Sequence, residues 1–264
     1  MRWAWLSGVV LGVTSWGTAY TGPATSLDFA SVVHDFSSLG GQSAYADPSK
    51  VLGWPGPLAS PAVPDNSKVF SFGWGGWVTV GFSRALLNLA PSPSNPSGAD
   101  FIVFGNAFYP GGNILTAWIE PGQVEVGVDA NGSGVPDAGD LWYRTRRRHP
   151  EGALPLPNSW FGNVAVGAQP VVGWADVTPV QNQGDPLVPD DPRSPGISAG
   201  SAGGDAFDLD WLQDAQGRPV SLKRAHFVRI RHAGQASLGF FGQSSTEVSA
   251  VSILRSPSLT SAQP

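Results

Sequence analysis

Residues 129–140, DANGSGVPDAGD, carry oxygen side chains at the first, third, fifth, ninth and twelfth places: Asp129, Asn131, Ser133, Asp137 and Asp140. Gly134 stands sixth, where a calcium loop turns sharply, and the Val135 carbonyl would serve the seventh place. Hard Ca²⁺ takes about six to eight oxygens, and this spacing wraps them around one point. Three carboxylates brought together without a cation would repel one another. The stretch therefore predicts a metal-stabilised connection between strands rather than a catalytic centre. A plain turn competes with that reading, since Asn131-Gly132 is a strong hairpin signal by itself. Asp140 is shorter than the bidentate Glu usual at the twelfth place, and Pro136 is unusual at the eighth. The flanks read as strands, so the loop is not a helix-loop-helix EF-hand.

Other chemistry is sparse. No G-x-S-x-G elbow, H-E-x-x-H or G-x-x-x-x-G-K-[ST] occurs. The histidines at 34, 149, 226 and 232 lack zinc-motif spacing. The pair His34-Asp35 reads as a satisfied or exposed polar pair rather than half a catalytic dyad. Asp190-Asp191 and Asp208/Asp210 would serve a glycosidase only if two carboxylates were held several ångströms apart. Asp190-Asp191 lie in a Pro-rich loop, where exposure is expected. Among the tryptophans, Trp54, Trp74 and Trp160 adjoin Gly or Pro turns and are the candidates for ligand contact, because exposed rings stack on sugars. Most tryptophans in a sandwich are core or rim.

Composition bounds the class. The chain has 264 residues, 11% aromatic and 13% charged, with 34 Gly and 24 Pro. Such frequent breakers leave little room for long helices. The net charge is −5, which excludes a general affinity for nucleic acid. There is no cysteine, so disulfides neither hold the fold nor report its compartment. Met1-Arg2, the apolar run Trp3–Val13 and the small residues Gly17-Thr18-Ala19 form the three parts of a secretory signal peptide cleaved after Ala19. That run is too short to span a bilayer, and no membrane span is expected after cleavage. The expected organisation is a signal peptide over 1–19, one domain over 20–255 and a polar tail over 256–264.

The elements that would position these groups are short strands. Expected strands are Leu27–Phe36, Lys68–Gly73, Gly76–Phe82, Asp100–Phe104, Gln123–Val128, Trp142–Arg148, one or two within Val164–Thr178, His226–Arg231 and Glu247–Leu254. In Gly76–Phe82, Val78, Val80 and Phe82 face one way and Trp77 and Thr79 the other, the period of a half-buried strand. Leu86–Gly98, with three prolines, and the aperiodic Pro179–Gly204 are expected loops. About ten short strands between turn signals predict an all-β, antiparallel two-sheet β-sandwich with long loops.

The order of seven pieces resembles a family of secreted bacterial cell-surface proteins with a galactose-binding-like jelly roll, the fold of discoidin-type and several carbohydrate-binding modules. They are DPSKVLGWPG (47–56), FSFGWGGWVTVGF (70–82), ADFIVFGNAF (99–108), EPGQVEVGVDANGSGVPD (120–137), GGDAFDLDW (203–211), HFVRIRH (226–232) and STEVSAVSIL (245–254). The resemblance implies a jelly roll with neighbouring termini, calcium near the ends of the sheets, and binding rather than catalysis. It also implies a second, weaker calcium site at Asp47, Ser49 and Glu247. Against that stands a local cap at Asp47 with Glu247 exposed. The chain departs from the family pattern at Arg144-Thr145-Arg146-Arg147-Arg148. That run reads as a solvated strand edge or as a patch for an anionic partner.

Together these readings predict a secreted, non-catalytic, calcium-stabilised cell-surface sandwich, with a glycan or cell-envelope polymer as candidate partner. An extracellular polysaccharide hydrolase using loop carboxylates, or a purely structural envelope or adhesion component, are the alternatives.

Overall fold

The computed structural model describes residues 23–145, 161–166, 173–191 and 194–255. The expected signal peptide, the tail, Trp160 and Arg146–Arg148 lie outside the described residues. Apart from short 3-10 turns, every described element is a strand. In chain order these are β1 (Val32–Ser37), β2 (Phe70–Phe72), β3 (Trp77–Leu87), β4 (Phe101–Phe104), β5 (Thr116–Ile119), β6 (Gly122–Val128), β7 (Leu141–Thr145) and β8 (Gly162–Ala165). There follow β9 (Trp174–Ala175), β10 (Asp205–Phe207), β11 (Leu212–Gln213), β12 (Pro219–Val220), β13 (Arg224–His232), β14 (Thr246–Val248) and β15 (Ala250–Ile253).

The largest sheet runs β1-β3-β13-β6-β7-β11-β12, with β9 pairing β6. The smaller sheets are β10-β4-β15, β14-β2 and β5-β8, and every strand pairing is antiparallel. Alternation explains the packing. Val78, Val80, Val124, Val126, Val228 and Ile230 turn to one face of the large sheet. There they meet Phe70, Phe72, Phe101, Val103, Phe207, Val251 and Ile253 of the smaller sheets in one buried cluster. Each such side chain contributes about 1.5–3 kcal/mol by leaving water. The result is a sandwich-like all-β fold.

Several boundaries differ from expectation for local reasons. The first strand opens at Val32, because Ser26–Asp28 is a 3-10 turn whose Asp28 carboxylate accepts from the Thr25 N–H at 2.7 Å. Strand β3 continues through Leu87, since Leu86 and Leu87 pair with Ala225 and Arg224 of β13. The Phe101–Phe104 run is buried at all four positions rather than half-buried. Its outer face, Ile102 and Phe104, packs under Val180, Leu187 and Ala202 of the 179–204 loop. That loop is pinned by the bridges Val180–Gly203 and Asp185–Ser201. Asp190 within it is buried rather than exposed, and accepts from the Ser198 N–H at 2.6 Å. The final run divides at Ser249: β14 pairs β2, while β15 pairs β4.

Candidate functional site

The 129–140 stretch joins β6 to β7 as a hairpin loop, with Val128 opposite Leu141. It folds about Asp129, whose Oδ1 accepts from the Gly132 and Ser133 N–H groups and whose Oδ2 accepts from Gly134. Gly132 and Gly134 take φ of 74° and 75°, which glycine adopts without strain. Asn131 Nδ2 donates to Asp137 Oδ2 at 2.9 Å, and Ser133 Oγ donates to the Val135 carbonyl at 2.8 Å. Asp140 accepts from the N–H groups of Ala130 and Asp137. The backbone N–H of Gly134 lowers the Asp129 pKa, and the Asn131 amide lowers that of Asp137, so both are ionised at neutral pH. This all-oxygen donor set suits a hard cation. Among the described residues, no three Asp, Glu or His side chains gather closely enough to hold a metal by themselves. A cation here would therefore need the Asn131, Ser133 and Val135 oxygens as well.

The other predicted residues are dispersed. Asp47 caps a 3-10 turn, accepting from Ser49 N at 3.0 Å and Ser49 Oγ at 2.7 Å. Beside that turn the Lys68 ammonium donates to the carbonyls of Lys50, Leu52 and Ser249, so a side-chain cation already gathers them. Glu247 is buried rather than exposed, and accepts from Ser71 and Ser245 hydroxyls at 2.8 and 2.7 Å. Trp54 is exposed and leans on Phe29, with ring centroids 5.0 Å apart. Trp74 is exposed between β2 and β3.

Glu247 belongs to a different constellation. It lines a cleft of about 480 Å³ with Glu120, Asp176, Asn66, Asn106, Trp118 and Phe241, among others. In β5, Ala117 and Ile119 are buried, which turns Trp118 and the following Glu120 to the cleft side. Asp176 follows β9 at φ 61°. Its Oδ1 accepts from the N–H groups of Asn106 and Ala107 at 2.6 and 2.9 Å, and its Oδ2 from Glu247 N–H at 3.0 Å. Gly105 permits this approach, because a Cβ there would stand 2.3 Å from Asp176 Oδ1. Glu120 accepts from the Ser245 N–H at 2.8 Å and shares a hydrogen bond with Glu247.

Burial pushes the Glu120 and Asp176 carboxyls up to about 7. Burial, then the charges of Glu120 and Asp176, raises Glu247 well above the usual range. At neutral pH the floor of the cleft thus holds carboxyl protons; half-buried Glu120 is the carboxyl placed to turn one toward a ligand, since both Asp176 oxygens accept from backbone N–H groups. Behind it, burial lowers His232 to about 4, so its neutral ring bridges Thr246 Oγ1 and Ser244 Oγ at 2.8 and 3.0 Å.

The wall is aromatic. Trp118 stacks with Phe108 at 6.2 Å and meets Phe241 edge-on at 5.2 Å. Phe240 and Phe241 project from the turn Gly239–Phe241, with Phe240 99% exposed. On the polar side Asn106 Nδ2 donates to Asn66 Oδ1 at 3.1 Å, while Asn106 Oδ1 is buried without a partner. The sequence reading missed Glu120, Asp176, Trp118 and Phe241. The alternation in TAWIE, which sets Trp118 and Glu120 on one side, was the available signal for two of them. No protein-family model matches the chain, and no curated protein is similar to it.

Proposed function

We propose that the protein is an exported, cell-surface carbohydrate-binding sandwich of the galactose-binding-like jelly-roll type, non-catalytic, with a neutral saccharide seated in the cleft. The observation that carries this reading is an aromatic wall, Trp118 with Phe108 and Phe241, standing over a hydrogen-bonding floor of Glu120, Asp176 and Glu247. Sugars present the same two aspects, an apolar C–H face and hydroxyls that both donate and accept. Calcium, held by Asp129, Asn131, Ser133, the Val135 carbonyl, Asp137 and Asp140, would brace the β6–β7 hairpin.

The test is titration calorimetry against neutral oligosaccharides, with thermal melting as the folding control. Trp118→Ala should weaken binding by about tenfold or more, the loss expected for about 1.4 kcal/mol of stacking and burial, while the variant still melts cooperatively at a temperature lowered by its lost packing on Phe108 and Phe241. Failure of every neutral oligosaccharide to bind, or binding indifferent to Trp118, would rule the reading out. A second reading draws on the raised carboxyl pKa values, since such groups also serve as general acids. Turnover of a polysaccharide, abolished by Glu120→Gln with binding retained, would favour that hydrolase.

A further inference from the structure

The outer face of the large sheet carries a second constellation, separate from the cleft. Strand register places Asp35, Thr79, Arg229, Glu125 and Arg144 side by side across β1, β3, β13, β6 and β7. Arg231 lies two residues along β13 from Arg229, next to Trp77 of β3. Three guanidiniums converge on one buried carboxylate: Arg231 Nε lies 3.0 Å and Arg229 Nη1 3.8 Å from Glu125 Oε2, and Arg144 Nε lies 3.2 Å from Oε1. Asp35, the other carboxylate of this row, is engaged by Trp77 Nε1 at 2.9 Å. The arginines also lie over rings. Arg229 sits 3.8 Å from the centre of Trp142, and Arg231 5.4 Å from that of Trp77.

Three guanidiniums thus face two carboxylates, Glu125 and Asp35, which also acts on Arg229, and one positive charge is left over. The Glu125 side chain is 8% exposed, whereas those of Arg231 and Arg144 are 40% and 65% exposed. Each of these two arginines turns its Nε to Glu125, which leaves the Nη edge, the pair of donors suited to a carboxylate, open to solvent. Trp142 is already covered by Arg229 and packs on Phe227, whereas half-buried Trp77, beside Arg231, leaves part of its ring in solvent for a pyranose face. Such a cationic face on a chain of net charge −5 is a local concentration of charge, not a general property of the molecule.

We propose that this face docks an acidic polysaccharide built of uronic acids, its carboxylates on Arg144 and Arg231 and a sugar ring against Trp77. The site does not depend on the cleft, so either can fail without the other.

The experiment uses the full mature chain and polygalacturonate oligomers, with the same oligomers methyl-esterified as the neutral control. Binding should weaken as salt rises and should be lost on esterification. Arg144→Gln and Arg231→Gln should each weaken it by about tenfold, Arg→Lys changes should restore part of it, and Trp118→Ala should leave it unchanged. If Arg231→Gln lowers the melting temperature by exposing Glu125 to an unpaired state, the largely exposed Arg144 carries the test. Equal binding of the esterified polymer, indifference to both arginine changes, or absence of binding would overturn the proposal. So would capture of single-stranded DNA or a sulfated polymer through these arginines in preference to the uronate.

Discussion

At the scale of the residue, Asp176 is the most constrained group in the cleft. It is the one described non-glycine residue with positive φ, and it is almost wholly buried. Both carboxylate oxygens are occupied by backbone donors from Asn106, Ala107 and Glu247. Those contacts tie the segment after β4 to β14, so the two sides of the cleft are held through one side chain. Asp176→Ala would leave three buried N–H groups unpaired, at about 1–3 kcal/mol each. Removing a carboxyl that is costly to bury beside Glu120 and Glu247 offsets part of that loss. A net destabilisation of about 3 kcal/mol is expected, read from the urea midpoint. Asp176→Asn should recover only part of it: its amide oxygen can accept from Asn106 and Ala107 and Asn tolerates the left-handed region, but its NH2 then faces the Glu247 N–H donor to donor. An alanine variant as stable as the parent would show that this carboxylate does not hold the cleft together.

At the scale of the element, the β6–β7 hairpin ends in a loop already ordered by its own hydrogen bonds. Calcium would then select the folded hairpin rather than create it. Melting temperature should rise with added calcium and fall in chelator, by about 2.7 kcal/mol of stability at a concentration one hundred times the dissociation constant. Asp129→Asn would keep an oxygen for the Gly132 and Ser133 N–H groups while removing a formal charge. It should therefore abolish the calcium shift with a smaller effect on the metal-free protein. A parent whose melting ignores both calcium and chelator would exclude the metal. This hairpin was legible in the sequence because alternation and turn residues act over neighbours. The double burial of Phe101–Phe104 was not, because the loop that covers it comes from 179–204. The cleft was largely hidden for the same reason. Glu120, Asp176 and Glu247 follow or occupy three different strands, and nothing local in Ala175-Asp176-Val177 marks a binding group.

At the scale of the whole molecule, buried acids set the dependence of stability on pH. Burial raises Asp100 to about 8 and Glu120 and Asp176 to about 7, from ordinary values of 3.8, 4.5 and 3.8. Between the unfolded and folded values the native state binds more protons than the unfolded chain. Stability from these groups is thus complete below about pH 4 and is lost as pH rises through 7 to 8. His232 works in the opposite sense, since the unfolded imidazole protonates near 6.5 while burial keeps the folded one neutral to about 4. Asp28 also opposes them at low pH. It is depressed by its hydrogen bond to Arg255, and with Arg84 beside it this buried acid joins the segment before β1 to that after β15, a link lost on acidification. Several raised carboxyls outweigh one histidine, so the protein should melt at a higher temperature at pH 5 than at pH 8, with a decline below about pH 4. Glu120→Gln removes one of the titrating groups and should shrink the difference between pH 5 and pH 8. A melting temperature that instead rises from pH 5 to pH 8 would mean that the cleft floor stays ionised. The carboxyl protons available to a ligand at neutral pH would then be absent, and the floor could only accept hydrogen bonds.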